Sequence, residues 1–133
     1  MYSLSTEASF DAAHFLTNYV GKCANIHGHR WRVVANISGE LNNGMVVDFG
    51  VIKKDLKELC DYFDHSFIVE KNSLDDNLLK MLEDKFLIRI VNFRTTAENF
   101  SKYFYDELSK KYEVLSIEVY ETPNNKAVYS CKW

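Results

Sequence analysis

Proline is almost missing from this sequence: Pro123 is the single one in 133 residues. No Gly/Ser-rich stretch, internal repeat or low-complexity tract breaks the chain. With no linker to separate parts, residues 1–133 read as one domain, of a size that buries roughly two thirds of the surface its unfolded chain exposes. Cysteine is scarce too. Cys23, Cys60 and Cys131 are odd in number and widely spaced, which excludes a disulfide framework. No CxxC pair exists to build a cysteine-rich zinc knuckle. No apolar run approaches the roughly 20 residues that span a bilayer. Met1 to Phe10 lacks the charged start and apolar stretch of a signal peptide. The expected setting is the cytoplasm, with no membrane partner. Clustered positive charge is missing as well. The 16 Lys and Arg are outnumbered by 19 Asp and Glu and interleaved with them, as in Lys53-Lys54-Asp55-Leu56-Lys57-Glu58. A phosphate-binding surface concentrates its cations, so nucleic acid is not an expected partner.

Core material is plentiful. The apolar share of 47%, with 9 Phe, 8 Tyr and 2 Trp, argues against disorder. Tyr2 to His14 reads as a first strand and His27 to Glu40 as a second. Leu41-Asn42-Asn43-Gly44-Met45 is turn chemistry, and Met45 to Phe49 reads as a short extended piece. Asp48 can cap a helix to about Phe63, with Val51, Ile52, Leu56, Leu59, Cys60 and Phe63 at helical spacing. Residues 66–94 carry the weakest pattern, with Leu78 to Phe86 helical and Leu87 to Val91 extended. Thr95-Thr96-Ala97-Glu98 fits a capping box with Thr95 as the cap, opening a helix to about Tyr112. Glu113 to Thr122 alternates, placing Leu115, Ile117, Val119 and Glu121 on one face. Pro123-Asn124-Asn125 is a turn, and Lys126 to Lys132 a last strand. The expected class is α+β with an antiparallel sheet.

Three of the four histidines lie between positions 14 and 29. His27 and His29 are two apart on a strand, so their imidazoles share a face. His14 ends the preceding strand, which can pair beside them. Zinc accepts imidazole nitrogen at roughly 2.0–2.1 Å, and three protein ligands leave an open position, the mark of a catalytic site. The plainer alternative is polar residues on half-exposed strands, and the clustering favours the metal.

Other residues gather near this cluster. Cys23 precedes His27 by a short loop, and a neighbouring cation raises thiolate character; its alternative is a small buried hydrophobe. Asp64 and His65 are adjacent at a helix end. A carboxylate there can orient the ring for proton transfer, although a solvated helix end gives the same dipeptide. Glu121 shares an apolar face with no Lys or Arg beside it on the strand. A ligand with two adjacent N–H donors, such as an aminopyrimidinone edge, suits it, as does water at a strand end.

Six segments together resemble one family. They are Phe10-Asp11-Ala12-Ala13-His14, Cys23-Ala24-Asn25-Ile26-His27-Gly28-His29, Gly44-Met45-Val46-Val47-Asp48-Phe49, Asp64-His65, Thr95-Thr96-Ala97-Glu98-Asn99 and Val119-Tyr120-Glu121-Thr122. In this order, across nearly the whole chain, they resemble the 6-pyruvoyl-tetrahydropterin synthase superfamily. The three residues between Cys23 and His27 resemble its 6-carboxy-5,6,7,8-tetrahydropterin synthase branch. The resemblance implies a tunnelling fold, with a four-stranded antiparallel sheet and two helices on one face. It implies homo-oligomers whose sheets join into a barrel, with active sites at subunit interfaces. His14, His27 and His29 would hold Zn2+, Cys23 would abstract a proton, and Asp64 and His65 would be its acid/base partners. Glu121 would anchor the pterin ring, with Thr95, Thr96 and Glu98 near the same pocket.

The implied reaction is zinc-dependent conversion of 7,8-dihydroneopterin triphosphate to 6-carboxy-5,6,7,8-tetrahydropterin. Acetaldehyde and triphosphate leave, in queuosine biosynthesis. Competing readings are a 6-pyruvoyl-tetrahydropterin synthase and a zinc- and pterin-binding protein without turnover. A zinc hydrolase is a weaker reading, since no His-Glu-x-x-His helix is present.

Overall fold

A computed structural model of the chain describes residues 1–131. Two 13-residue strands dominate it: β1 (Tyr2–His14) and β2 (His27–Gly39). They pair antiparallel without a break, from Tyr2 opposite Gly39 to His14 opposite His27. Alternation decides their faces. Phe10, Ala12 and His14 of β1 are buried, as are Trp31, Val33, Ala35 and Ile37 of β2. The opposite face is wet, where Arg30 forks onto Asp11 and Arg32 reaches Glu7.

Asn43 and Gly44 both take positive φ, 54° and 81°, as a two-residue turn of primed type demands. A single bridge, Asn42 to Met45, closes it. The extended piece expected over Met45–Phe49 is absent, because Asp48 already serves the next helix. Its carboxylate accepts from the Gly50 N–H at 2.6 Å and caps α1 (Phe49–Phe63). Ile52, Leu56, Cys60 and Phe63 line the buried stripe of α1.

The weakly patterned stretch holds β3 (Ser66–Glu70), α2 (Asp76–Glu83) and β4 (Ile88–Val91). β3 runs parallel to β1 and to β4. α2 buries no residue. Then come α3 (Ala97–Leu108), β5 (Glu113–Thr122) and β6 (Asn125–Tyr129). Lys132, assigned above to the last strand, lies outside the described residues.

The sheet order is β4-β3-β1-β2-β5-β6. The α+β class holds, and the expected four strands and two helices are too few. β1, β2, β5 and β6 form the antiparallel part. β3 and β4 extend it in parallel beyond β1, and α2 is a third helix among the described residues. α2 overlaps the helix expected over Leu78–Phe86 and β4 the extended piece expected over Leu87–Val91, whereas β3, at five residues, is too short to display a period.

β5 carries one extra residue. Ser116 pairs with Asn36 but Val114 with Ile37, so Leu115 has no opposite number. The buried residues switch parity across this bulge, from Val114 to Ile117 and Val119. Leu115, expected on the core face, is displaced from it by Val114.

α1 and α3 cover the buried face of the sheet. Phe100 is fully buried, 4.9 Å from Trp31 and 5.2 Å from Phe93 between ring centroids. Phe10, Phe63 and Phe104 complete the cluster. Each such ring contributes on the order of 2 kcal/mol through burial. Among the described residues no helix is long and apolar enough to cross a membrane.

Candidate metal centre

The β1–β2 pairing places His14 directly across from His27, with His29 two residues further along β2. All three rings stand on the buried face. Their centroids are 4.6 Å (His14–His27), 5.3 Å (His14–His29) and 4.9 Å (His27–His29) apart. One ligand nitrogen from each lies within 4.8 Å of the other two. Trp31 forms the floor, its ring 4.9 Å from His14 and 5.3 Å from His29, held by its indole N–H donating to the Ala12 carbonyl.

Hydrogen bonds decide which nitrogens are free. The Asn25 carbonyl accepts from His27 Nδ1 at 2.7 Å, so the proton is on Nδ1 and the Nε2 lone pair is open. His14 Nδ1 lies 3.0 Å from Thr95 Oγ1. His14 Nε2 and His29 Nε2 are both buried without a hydrogen-bond partner. Buried polar atoms are ordinarily satisfied, and two orphaned imidazole nitrogens on one face are what a cation would complete.

The electrostatics agree. Burial, reinforced by the neighbouring His27 and His29, drops the His14 pKa to about 4. Burial, then His27, lowers that of His29 too. Unprotonated imidazoles are the ligand form. Glu121 stands beside them, its Oε2 3.9 Å from His29 Nε2. Burial raises its pKa, with His27 opposing and Glu98 adding to the rise. Glu121 borders two depressions, of about 460 Å³ beside His29, Arg32 and Tyr120, and about 400 Å³ beside Glu98 and Lys126. A larger cavity of about 640 Å³, under Leu59, Tyr62, Phe93 and Tyr103, touches none of these residues.

Thr96, not Thr95, caps α3: its Oγ1 accepts from the Asn99 N–H at 3.1 Å. Thr95 is 1% exposed, drawn inward to His14. Glu98 occupies the first turn of α3.

Cys23 sits in a single 3-10 turn, Lys22–Ala24, in the β1–β2 loop. The Leu16 N–H donates to its carbonyl at 2.9 Å, closing that loop. Cys60 is buried on α1, its thiol pushed up to about 12 by burial. Cys131 is exposed just past β6, against the Tyr105 hydroxyl.

Asp64 and His65 form a corner between α1 and β3. The Asp11 N–H donates to Asp64 Oδ1 at 2.8 Å, and the His65 N–H donates to the Asp11 carbonyl at 2.7 Å. This clamp holds His65 at φ 57°, a left-handed backbone. Asp64 Oδ2 lies 2.7 Å from His65 Nδ1. The Asp11 N–H, with help from His65, keeps the Asp64 carboxyl below its usual range. The His65 side chain is 79% exposed. Among the described residues no hydrogen bond or ring contact joins Cys23, Asp64 or His65 to the three histidines. Sequence reasoning missed Trp31 as the floor, although its parity with His29 was readable. The Asn25 carbonyl, the Phe15 carbonyl that accepts from the Thr95 hydroxyl and the Asp11 backbone left no signal, since any residue supplies them.

A mixed six-stranded sheet with a histidine triad on its two longest strands has the layout of a candidate metal site. The profile of the 6-pyruvoyl tetrahydropterin synthase family matches residues 3–132, and the chain belongs to that family. Its relatives make the comparison more specific. A 6-carboxy-5,6,7,8-tetrahydropterin synthase of Haemophilus influenzae is 34% identical over 139 residues, covering 97% of this chain and 99% of that one. One of Aquifex aeolicus is 35% identical, covering 83% and 76%. Among solved structures, an uncharacterized protein of Wolinella succinogenes has the same fold, with TM-score 0.81, 19% identity and 98% of each chain covered. A 6-pyruvoyltetrahydropterin synthase of Plasmodium vivax follows at 0.78, 23% identity and 96% of each chain.

Proposed function

We propose that this chain, acting as one domain in the cytoplasm, is a 6-carboxy-5,6,7,8-tetrahydropterin synthase of queuosine biosynthesis. It converts 7,8-dihydroneopterin triphosphate to 6-carboxy-5,6,7,8-tetrahydropterin, releasing acetaldehyde and triphosphate. The observation that carries this reading is the triad itself. His14, His27 and His29 offer unprotonated nitrogens on one face, two of them buried with no hydrogen-bond partner, in a chain whose relatives bear that enzyme's name.

The three histidines hold Zn2+, which when bound supplies Lewis-acid polarisation of a substrate oxygen. The chain's own residues do the rest. Glu121 hydrogen-bonds the aminopyrimidinone edge of the pterin and sets its distance from the triad. Glu98, in the first turn of α3, shares a depression with Glu121, and Thr95 and Thr96 belong to the same pterin pocket. Cys23 takes a proton from the substrate side chain as a thiolate. Asp64 orients His65, which returns the proton. His65 faces solvent, and a second subunit brings such a corner to the triad. Two open sheet edges, β4 and β6, support an oligomer in which sheets join into a barrel.

Incubating the zinc-loaded protein with 7,8-dihydroneopterin triphosphate tests the assignment. Acetaldehyde and the 6-carboxy product are expected. A 6-pyruvoyl product without acetaldehyde would transfer the chain to the pyruvoyl synthases. Pterin binding with no turnover would leave a binding protein.

A further inference from the structure

We propose that Thr95 is a positioning residue that locks His14 in its Nδ1–H tautomer and so turns the Nε2 lone pair toward the cation. The inference deepens the metal reading of the site and rests on it.

The argument is one of proton counting. A threonine hydroxyl has one hydrogen to give. Thr95 Oγ1 lies 3.2 Å from the Phe15 carbonyl, which can only accept. The hydroxyl hydrogen is therefore committed to Phe15. What remains on Oγ1 are lone pairs, and the 3.0 Å contact to His14 Nδ1 is then a bond in which His14 donates. The opposite order would strip the Phe15 carbonyl of its donor. It would also put a proton on His14 Nε2, which is buried and has no acceptor. An unsatisfied buried group of this kind is costly.

His27 reaches the same tautomer through the Asn25 carbonyl, a backbone group that no substitution removes. The hydroxyl that His14 Nδ1 contacts is on a side chain 81 positions away in sequence, with the Thr95 backbone also favouring a proton on the ring. The adjacent threonines divide their work: Thr96 caps α3, and Thr95 turns inward and serves the triad. Partners of this type fix ring orientation and tautomer, and losing one typically weakens metal affinity by 10–100-fold.

Thr95→Val keeps the β-branched shape and removes the hydroxyl. Two readouts, neither needing turnover, decide the matter. In metal-free, 15N-labelled wild type, long-range proton–nitrogen correlations should show His14 protonated on Nδ1. Thr95→Val should lose that signature, and its Zn2+ affinity, measured against a chromophoric chelator, should fall roughly 10–100-fold. Thr95→Ser should restore both. Thr95→Ala removes the same hydroxyl and serves should the valine variant lose its fold. An unchanged His14 tautomer and wild-type zinc affinity in Thr95→Val would overturn the proposal. A wild type with the Nδ1–H tautomer that takes up no zinc would instead overturn the metal reading of the triad.

Discussion

Acid should destabilise the metal-free protein, and His14 should carry much of the effect. The folded chain holds this imidazole near a pKa of 4, against 6.5 when it is free, mainly through burial. Its folded pKa lies below its unfolded one. In the window between them the unfolded chain binds the proton and the folded chain does not, so stability rises with pH and is lost on acidification. At about pH 7.5 both states are neutral there. At about pH 5 the unfolded imidazole is almost fully charged and the folded one about a tenth charged, a difference of about 2 kcal/mol. His29 is lowered by burial and adds in the same direction. Glu121 is raised and opposes, because its carboxyl takes a proton more readily when folded. For a domain of this size the His14 share corresponds to a fall of roughly 8 °C in Tm. Thermal melts by circular dichroism, in chelator and across this pH range, measure it. His14→Gln removes the titrating group, so its profile should be flatter than wild type by about 2 kcal/mol. Parallel profiles for the two proteins would refute the reasoning, because they would show that His14 titrates alike in both states.

Four further outcomes follow from the same geometry. Cys23→Ala should lose turnover by about 10²–10⁴-fold while keeping its zinc, as acetaldehyde release and metal analysis would show. Asp64→Asn keeps an acceptor for the Asp11 N–H but no longer stabilises charge on His65; kcat should fall about tenfold or more with little change in melting. Glu121→Gln removes a carboxylate that burial disfavours, so KM for the pterin should rise in steady-state assays while Tm near neutral pH does not fall. Phe100→Ala opens a cavity among Trp31, Phe63 and Phe93 and should cost about 3–5 kcal/mol in denaturant unfolding.

What could be read beforehand followed the length of each pattern. β1 and β2 run 13 residues each, and their alternation is long enough to fix both ends and the buried face. The triad was legible for the same reason, since His27 and His29 share parity and His14 closes the neighbouring strand. α1 announced itself through Asp48 and a four-turn apolar stripe. β4 was legible as an extended piece over Leu87–Val91 but its place in the sheet was not, and β3 was not legible at all, because a parallel pairing of four or five residues is decided by tertiary contact. Thr95 was misassigned as the cap because Glu98, three residues on, completes a capping-box pattern that Thr96 lacks. The distant His14, to which Thr95 turns, overrides that pattern, and a local window does not contain it. Leu115 was placed on the wrong face because a bulge adds one residue without any change in composition.

That bulge gives β5 two phases in one strand. Upstream of Leu115, even-numbered residues face the helices; downstream, odd-numbered ones do, and Glu121 inherits that direction. Deleting Leu115 would straighten the ladder and leave Val114 and Ile117 two apart on one face, so Val114 stays in the core and Glu121 stays beside His29. Inserting a residue in the regular ladder just downstream, between Ser116 and Ile117, does force a choice: either Val114 leaves the core or Glu121 swings to the solvent side. Loss of the bulged residue should therefore be far better tolerated than a one-residue gain next to it, although no group of chemical interest sits at either position.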